Sequence, residues 1–227
     1  MRRVLILRPE PAAGRTAARA ATLGMDARVH PLFAPQPVDW TPPPIDNFDA
    51  LLLTSANGAR LAGAELARYR GLPAYAVGAA TAQALYDAGF AAVNIGAGDG
   101  SAIAARIAAD GHERVLHLAG TTVAPMASGT LRISRVAVYS MASLPPDPAL
   151  PDDAVAGSIL LVHSPRAGER LAAQLPEARR AALHLVAISP AALAACGPGW
   201  ASAQAPARPQ DDEMLALALR LCEGHAQ

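Results

Sequence analysis

Short apolar runs of strand length recur along this chain, and most are followed by a segment whose apolar residues repeat at helical spacing. Runs at 4–7, 27–32, 51–53, 74–77, 92–95, 114–118, 133–139, 158–162 and 184–188 predict strands, with a weaker one at 201–203. Alanine-rich segments at 12–23, 79–88, 101–109, 167–175, 190–195 and 211–222 predict helices, and another begins near Asn57. Gly24 supplies a stop for the first helix. The last opens with Asp211, Asp212 and Glu213 at its positive end. Strands alternating with helices predict parallel α/β sheets with helices on both faces.

Two proline-rich stretches break the alternation. Pro31, Pro35, Pro37, Pro42, Pro43 and Pro44 lie in the first, and Pro145, Pro146, Pro148 and Pro151 in the second, together half of the 20 prolines. Proline lacks an N–H, so the first stretch cannot be a regular helix or a central strand. Both read as crossings between domains. The pieces outside them are each too poor in strands for a full sheet. The economical division is one discontinuous α/β domain, 1–34 plus 146–227, and a similar inserted domain, 35–145. The crossing segments lie near 33–44 and 140–152. The alternative, two consecutive domains split near residue 143, leaves a small C-terminal piece.

One stretch organises the inserted block: DALLLTSANGARL, from Asp49 to Leu61. An apolar run ends in hydroxyl and amide side chains and turns straight into a helix. Such a turn brings helix N–H groups to the carboxyl edge of a parallel sheet, where anionic ligands bind. Ser55 or Asn57 can instead simply cap the helix, an effect of about 1 kcal/mol. The stretch recurs as ILLVHSPRAGERL, from Ile159 to Leu171, setting Ser55 against Ser164 and Asn57 against Arg166. Farther on, YAVGAATAQALYDAGF from Tyr75 to Phe90 parallels LVAISPAALAACGPGW from Leu185 to Trp200, setting Gly78 against Ser189. Two copies of strand–turn–helix–strand–turn–helix predict two similar halves rather than a short-period repeat.

Composition narrows the chemistry. Formal net charge is zero, which gives no footprint for nucleic acid. There is no lysine, so all positive charge is arginine. Schiff-base chemistry and a P-loop lysine are excluded, and carboxylate recognition falls to the guanidinium fork. Cys196 and Cys222 lie far apart without a CxxC, and no apolar run approaches the ~18 residues of a membrane span. The N-terminal apolar run is too short for a signal peptide. A cytoplasmic protein is expected. Gly96, Gly98 and Gly100 do not complete GxGxxG, because Ser101 occupies the last position. The histidines, His30, His112, His117, His163, His184 and His225, show no metal-ligand spacing. His163 precedes Ser164 without a nucleophile-elbow GxSxG. Tyr139 is predicted to end the last strand of the inserted block, beside a crossing. It reads either as packing or as a neutral phenol able to donate a proton.

In order and spacing these motifs resemble the uroporphyrinogen-III synthase family over nearly the whole chain. The residues that carry the resemblance are LILRP, GMDARVHPLF, LLLTSANGARL, YAVGAATAQALYDAGF, VLHLAG, VAVYSM, ILLVHSPRAGERL, VAISPAALAA and DDEMLALAL. The chain departs from the family pattern at Ala119, Thr121 and Thr122, and at Ser189, Pro190 and Ala191. The resemblance implies two flavodoxin-like α/β domains joined by a two-segment hinge, an active site between them, and neither cofactor nor metal. It implies that hydroxymethylbilane, a linear tetrapyrrole, is closed to uroporphyrinogen III with loss of water and inversion of ring D. Tyr139 is then the expected catalytic residue. Arg8, Ser55, Asn57, Gly78, Ser164, Arg166 and Ser189 are the expected substrate-binding residues, in a monomer with no nucleic-acid or membrane partner. A non-catalytic hinged binding protein for an anionic small molecule is the competing class.

Overall fold

The runs Ala50–Leu53 (ALLL) and Ile159–Val162 (ILLV) are buried at every position, so each needs cover on both faces. Each lies inside a sheet, and the rest of the chain is wound around it. The computed structural model describes residues 2–224. Its elements run β1 (Arg3–Ile6), α1 (Ala12–Thr22), β2 (Asp26–Val29), β3 (Phe33–Pro37), β4 (Ala50–Leu53), α2 (Ala56–Leu61), β5 (Ala74–Ala76), α3 (Ala79–Asp87), β6 (Val93–Ile95) and α4 (Gly100–Ala109). They continue with β7 (Arg114–Gly120), β8 (Arg132–Ser143), α5 (Ala149–Asp153), β9 (Ile159–Val162), α6 (Pro165–Gln174), α7 (Glu177–Arg180), β10 (His184–Ala187), α8 (Pro190–Ala195), β11 (Ser202–Gln204) and α9 (Asp211–Glu223). Single 3-10 segments at Ile45–Asn47 and Ala64–Tyr69 flank β4 and α2.

The chain divides into an outer unit, Met1–Ala34 with Ser143–Gln227, and an inner unit, Pro35–Ala142. The outer unit is a parallel sheet of order β11-β10-β9-β1-β2. Val4, Ile6, Ile159, Leu161 and Val186 face one way, against Ala13 and Ala20 of α1 and Met214, Leu215 and Ala218 of α9. Leu5, Leu160 and Leu185 alternate to the other face. There α6 and α8 pack on β9 and β10.

The inner unit has the order β3-β8-β7-β4-β5-β6. Leu51 and Leu53 pack with Ala59 of α2 and Ala82 and Leu85 of α3. Ala50 and Leu52 pack on the opposite face with Ile103 and Ile107 of α4. Leaving out β3, the two sheets correspond strand for strand. The series β2-β1-β9-β10-β11 matches β8-β7-β4-β5-β6, and the inner series begins the winding at a different strand. The repeated sequences are the matching segments β4–α2 and β9–α6, then β5–α3 and β10–α8.

The first proline-rich stretch is not wholly irregular. Phe33–Pro37 is a strand, at the edge of its sheet, where the missing N–H groups of Pro35 and Pro37 cost no central ladder. The hydrogen bonds Leu144 N–H to Leu32 O (3.1 Å) and Val38 N–H to Val138 O (3.1 Å) run β3 and β8 antiparallel. With β3 available as a partner, β8 continues to Ser143, past the end expected at Tyr139. The second stretch contains the short helix α5. His30 fixes it, with Nδ1 2.7 Å from Asp147 Oδ2 and Nε2 3.0 Å from Asp153 Oδ2. That contact is the main cause holding the Asp147 carboxyl below its ordinary range.

Both repeats also place a glycine where a helix meets its neighbour. A Cβ on Gly58 would lie 2.9 Å from Leu118 O, and one on Gly168 would lie 2.9 Å from both Ala192 O and Cys196 Sγ. The backbone of α8 cannot yield as a side-chain tip can. Gly168→Ala is therefore expected to lower stability by about 1–3 kcal/mol, against the ~0.5–1 kcal/mol that alanine gains in a helix. Urea unfolding measures this, and an unchanged or raised midpoint would show that the glycine does not set the α6–α8 spacing.

Candidate active site

In the inner unit the chain winds outward from β4 through β5 to β6, then returns to β7 and β8 on the other side. Ligands of open α/β sheets bind where the winding reverses, at the carboxyl ends of the strands. Here that point lies between β4 and β7. The β7–β8 crossover also carries no helix; residues 121–131 form an irregular segment. The sheet face over β8 is therefore incompletely covered. A cavity of about 660 Å³ results, lined by Thr54, Ser55, Val77, Gly98, Gly100, His117, residues 122–126 and Ser128, and by Ile133, Arg135 and Tyr139 of β8.

Tyr139 enters this cavity through two features of the strand pairing. The register of β7 and β8 shifts between Ala119 and Gly120, so Ala119 faces Ala137 but Gly120 faces Tyr139. Such a bulge re-aims the side chains beyond it. The phenol ring then lies on Gly120, where a Cβ would come within 2.8 Å of Cζ and 3.1 Å of the hydroxyl oxygen. The Thr121 N–H donates to Tyr139 O at 2.9 Å. Tyr139 thus sits within β8, not at its end, and is about nine-tenths buried.

Beside it are polar groups that sequence reasoning passed over. From the sequence, His117 is one of the histidines without metal-ligand spacing and nothing more. The structure buries it almost wholly, with Nε2 2.9 Å from Thr54 Oγ1. The signal was a single histidine inside the otherwise apolar VLHLAG strand. Burial, with the Arg135 charge as a lesser cause, pushes its imidazole down to about 4. Arg135 lies directly alongside, because the β7–β8 register pairs His117 with Arg135.

The expected binding residues fall into the two units. In the inner unit Ser55 lines the cavity and caps α2, its Oγ accepting the Asn57 N–H at 3.2 Å. The Asn57 side chain is not among the lining groups. Gly78 is the extended residue before α3, its Cβ direction 4.0 Å from Gly98 Cα at the cavity wall. In the outer unit Ser164 and Ser189 cap α6 and α8, accepting the Ala167 and Ala192 N–H groups at 3.2 Å each. Arg166 lies over the Phe33 ring at 4.5 Å, at a smaller cavity of about 320 Å³ that Arg170 and Glu169 also line.

Arg8 already has a structural engagement. Its Nη1 lies 3.1 Å from Asp211 Oδ1 and 3.3 Å from Thr16 Oγ1, and His163 Nε2 lies 2.8 Å from the same carboxylate oxygen. Burial opposes ionisation of Asp211, but the His163 and Thr16 hydrogen bonds and the nearby charges hold its carboxyl below the ordinary range. Burial also leads His163 downward, against the pull of Asp211. The acidic start of α9 therefore anchors Arg8. Among the described residues no group of three or more His, Cys, Asp or Glu side chains could hold a metal ion.

Parallel sheets flanked by helices, with capped turns and a ligand-sized cavity at a winding reversal, define an α/β protein of the doubly wound class. The family model for uroporphyrinogen-III synthase HemD (HEM4) matches residues 14–216. The chain belongs to the uroporphyrinogen-III synthase family. It is accordingly a cyclising hydro-lyase of porphyrin biosynthesis, forming uroporphyrinogen III from hydroxymethylbilane. Among solved structures it is similar to the uroporphyrinogen-III synthetase of Helicobacter pylori 26695 (17% identity, 97% of this chain and 100% of that one, TM-score 0.62). A mutant uroporphyrinogen III synthase of the extremely thermophilic bacterium Thermus thermophilus aligns at 17% identity over 99% and 100%, with a TM-score of 0.49. No curated protein sequence matches the chain. No helix among the described residues is long and apolar enough to cross a membrane.

Two outcomes follow from the site's geometry. The folded His117 titrates at about 4 against 6.5 for a free imidazole, so the unfolded chain binds the extra proton between these values. Its contribution to stability is complete above pH 6.5 and is lost as pH falls toward 4, on the order of 3 kcal/mol in all. Unfolding midpoints across that window should fall for the parent protein and fall less for His117→Gln; parallel curves would contradict the burial argument. For the caps, Ser164→Ala and Ser189→Ala should each cost about 1 kcal/mol of stability. A capping role alone leaves KM unchanged once the protein is folded, whereas a ligand contact raises it.

Proposed function

We propose that Tyr139 is the catalytic residue of the cyclisation and that its hydroxyl assists departure of the ring A hydroxyl. The observation that carries this reading is the fixed placement of the phenol in the inner-unit cavity, against Gly120. Expelling the hydroxyl as water consumes a proton, and the ring gives one back when its last pyrrole regains aromaticity. A neutral phenol can donate to the departing oxygen. The pyrrole nitrogens push the hydroxyl out to give an azafulvene. Ring D is then attacked at its substituted carbon, and a spiro intermediate fragments and recombines. Because the free bilane closes unaided to the uninverted isomer, much of the protein's task is to hold the chain so that the inverting attack wins.

The same proposal gives substrate binding to Ser55, Asn57 and Gly78 in the inner unit and to Arg8, Ser164, Arg166 and Ser189 in the outer one. Backbone N–H groups at these turns supply much of the binding, so each side chain contributes modestly. Arg8 and Arg166 are the cations of the set, and Arg8 shares its charge with Asp211. The two units act as flavodoxin-like domains, and the doubled connection near 33–44 and 140–152 serves as their hinge. The enzyme works as a cytoplasmic monomer on a free linear tetrapyrrole, with no nucleic acid involved and no cofactor required.

Incubation with freshly generated hydroxymethylbilane, followed by oxidation and isomer analysis, tests the reading. Isomer III above the spontaneous rate is expected. Isomer I alone, at the spontaneous rate, would remove it. Tyr139→Phe should keep the fold and lower turnover, by up to the ~10²–10⁴-fold typical of general-acid help. Residual isomer III should persist. Parent-like turnover would return Tyr139 to a packing role.

A further inference from the structure

We propose that Arg135 anchors one carboxylate of the substrate in the inner-unit cavity, beside the Thr54–His117 pair. The inference rests on the synthase reaction and adds to it a binding group that lies outside the repeated turns.

Charge makes the first argument. His117, Arg135 and Tyr139 are the titratable groups that line the cavity, and no Asp or Glu joins them. Arg135 has no ion-pair or hydrogen-bond partner among the described residues. Its neighbours on the same strands are neutralised: Arg132 pairs with Glu113 at 3.1 Å and Arg114 with Asp49 at 3.4 Å. A guanidinium left unpaired at the mouth of a cavity is an anion site in want of an anion, and its planar fork fits a carboxylate.

Position makes the second. The register pairs Arg135 with His117 on adjacent parallel strands, so both project from the face that the helix-free crossover leaves uncovered. His117 is too buried to compete for the anion as a cation, and its Nε2 is occupied by Thr54. The imidazole therefore sets a neutral wall, and the sole positive charge at that wall is Arg135. The cavity volume of about 660 Å³ falls within the ~300–1,000 Å³ of small-molecule sites. Tyr139 lines the same space, so a carboxylate held at Arg135 fixes its pyrrole within the cavity that presents the phenol.

Arg135→Gln tests this, with Arg135→Lys as the charge-conserving control. The glutamine variant should raise KM for hydroxymethylbilane on the order of 10- to 100-fold, the range of a lost charge-assisted hydrogen bond, with kcat largely kept. Lysine should restore part of the loss. The imidazole of His117 gives a readout independent of activity. In the parent enzyme, binding of uroporphyrinogen III, kept reduced, should move the His117 NMR titration upward, because the bound carboxylate offsets the guanidinium. In Arg135→Gln the titration should start higher and the ligand-induced movement should vanish. An unchanged KM in Arg135→Gln, or a parent His117 whose titration stays put or falls on binding product, would overturn the proposal. Isomer III formation by these same proteins would leave the synthase reading standing.

Discussion

The reversal of winding beside each central strand is the constraint on which the rest depends. A strand apolar on both faces, such as ALLL or ILLV, must be flanked by other strands and covered by helices above and below. Chain leaving such a strand in one direction has to return for the other side, and the ends of the two central strands part where it does. In the outer unit Arg8 and His163 both reach the Asp211 carboxylate across the parting. In the inner unit it is open, because the corresponding crossover lacks a helix. One architecture thus yields a junction bridged by side-chain contacts in one copy and a cavity in the other.

Most of the fold was legible because its signals are local. Buried strands announce themselves as apolar runs, and Ser164 and Ser189 announce the helices they cap. The doubled motif revealed the two related sheets. Errors arose where a partner distant in sequence decided the outcome. β8 runs on to Ser143 because β3, read as a crossing segment, pairs with it as an edge strand. α5 and its docking by His30 depend on a contact more than a hundred residues away.

The candidate site was legible in part for the same reason. Ser55 and Tyr139, singled out by strand-end position and residue type, both line the cavity, although Tyr139 lies mid-strand. His117 and Arg135 were not found. Each sits in a strand whose alternation looked ordinary, and only the register makes them neighbours at the cavity. Arg8, a charged residue at a strand end, also pairs with the acidic start of a helix far along the chain, a contact its position in the sequence does not announce. Sequence position identifies edges, but only packing identifies which edge is left open.

The Tyr139–Gly120 contact has a consequence for anyone wishing to place a phenol this way elsewhere. The phenol is aimed by a subtraction on one strand and an addition on the next: a missing Cβ at Gly120 and one surplus residue in the ladder beside it. A tyrosine grafted at the topologically equivalent position of another doubly wound sheet would inherit neither. It would stand off its neighbour by the thickness of a side chain, or turn to the opposite face. The transplantable unit is a cassette of two strands with their slip in register, and any attempt to borrow the residue without the slip would carry over the functional group but lose its direction.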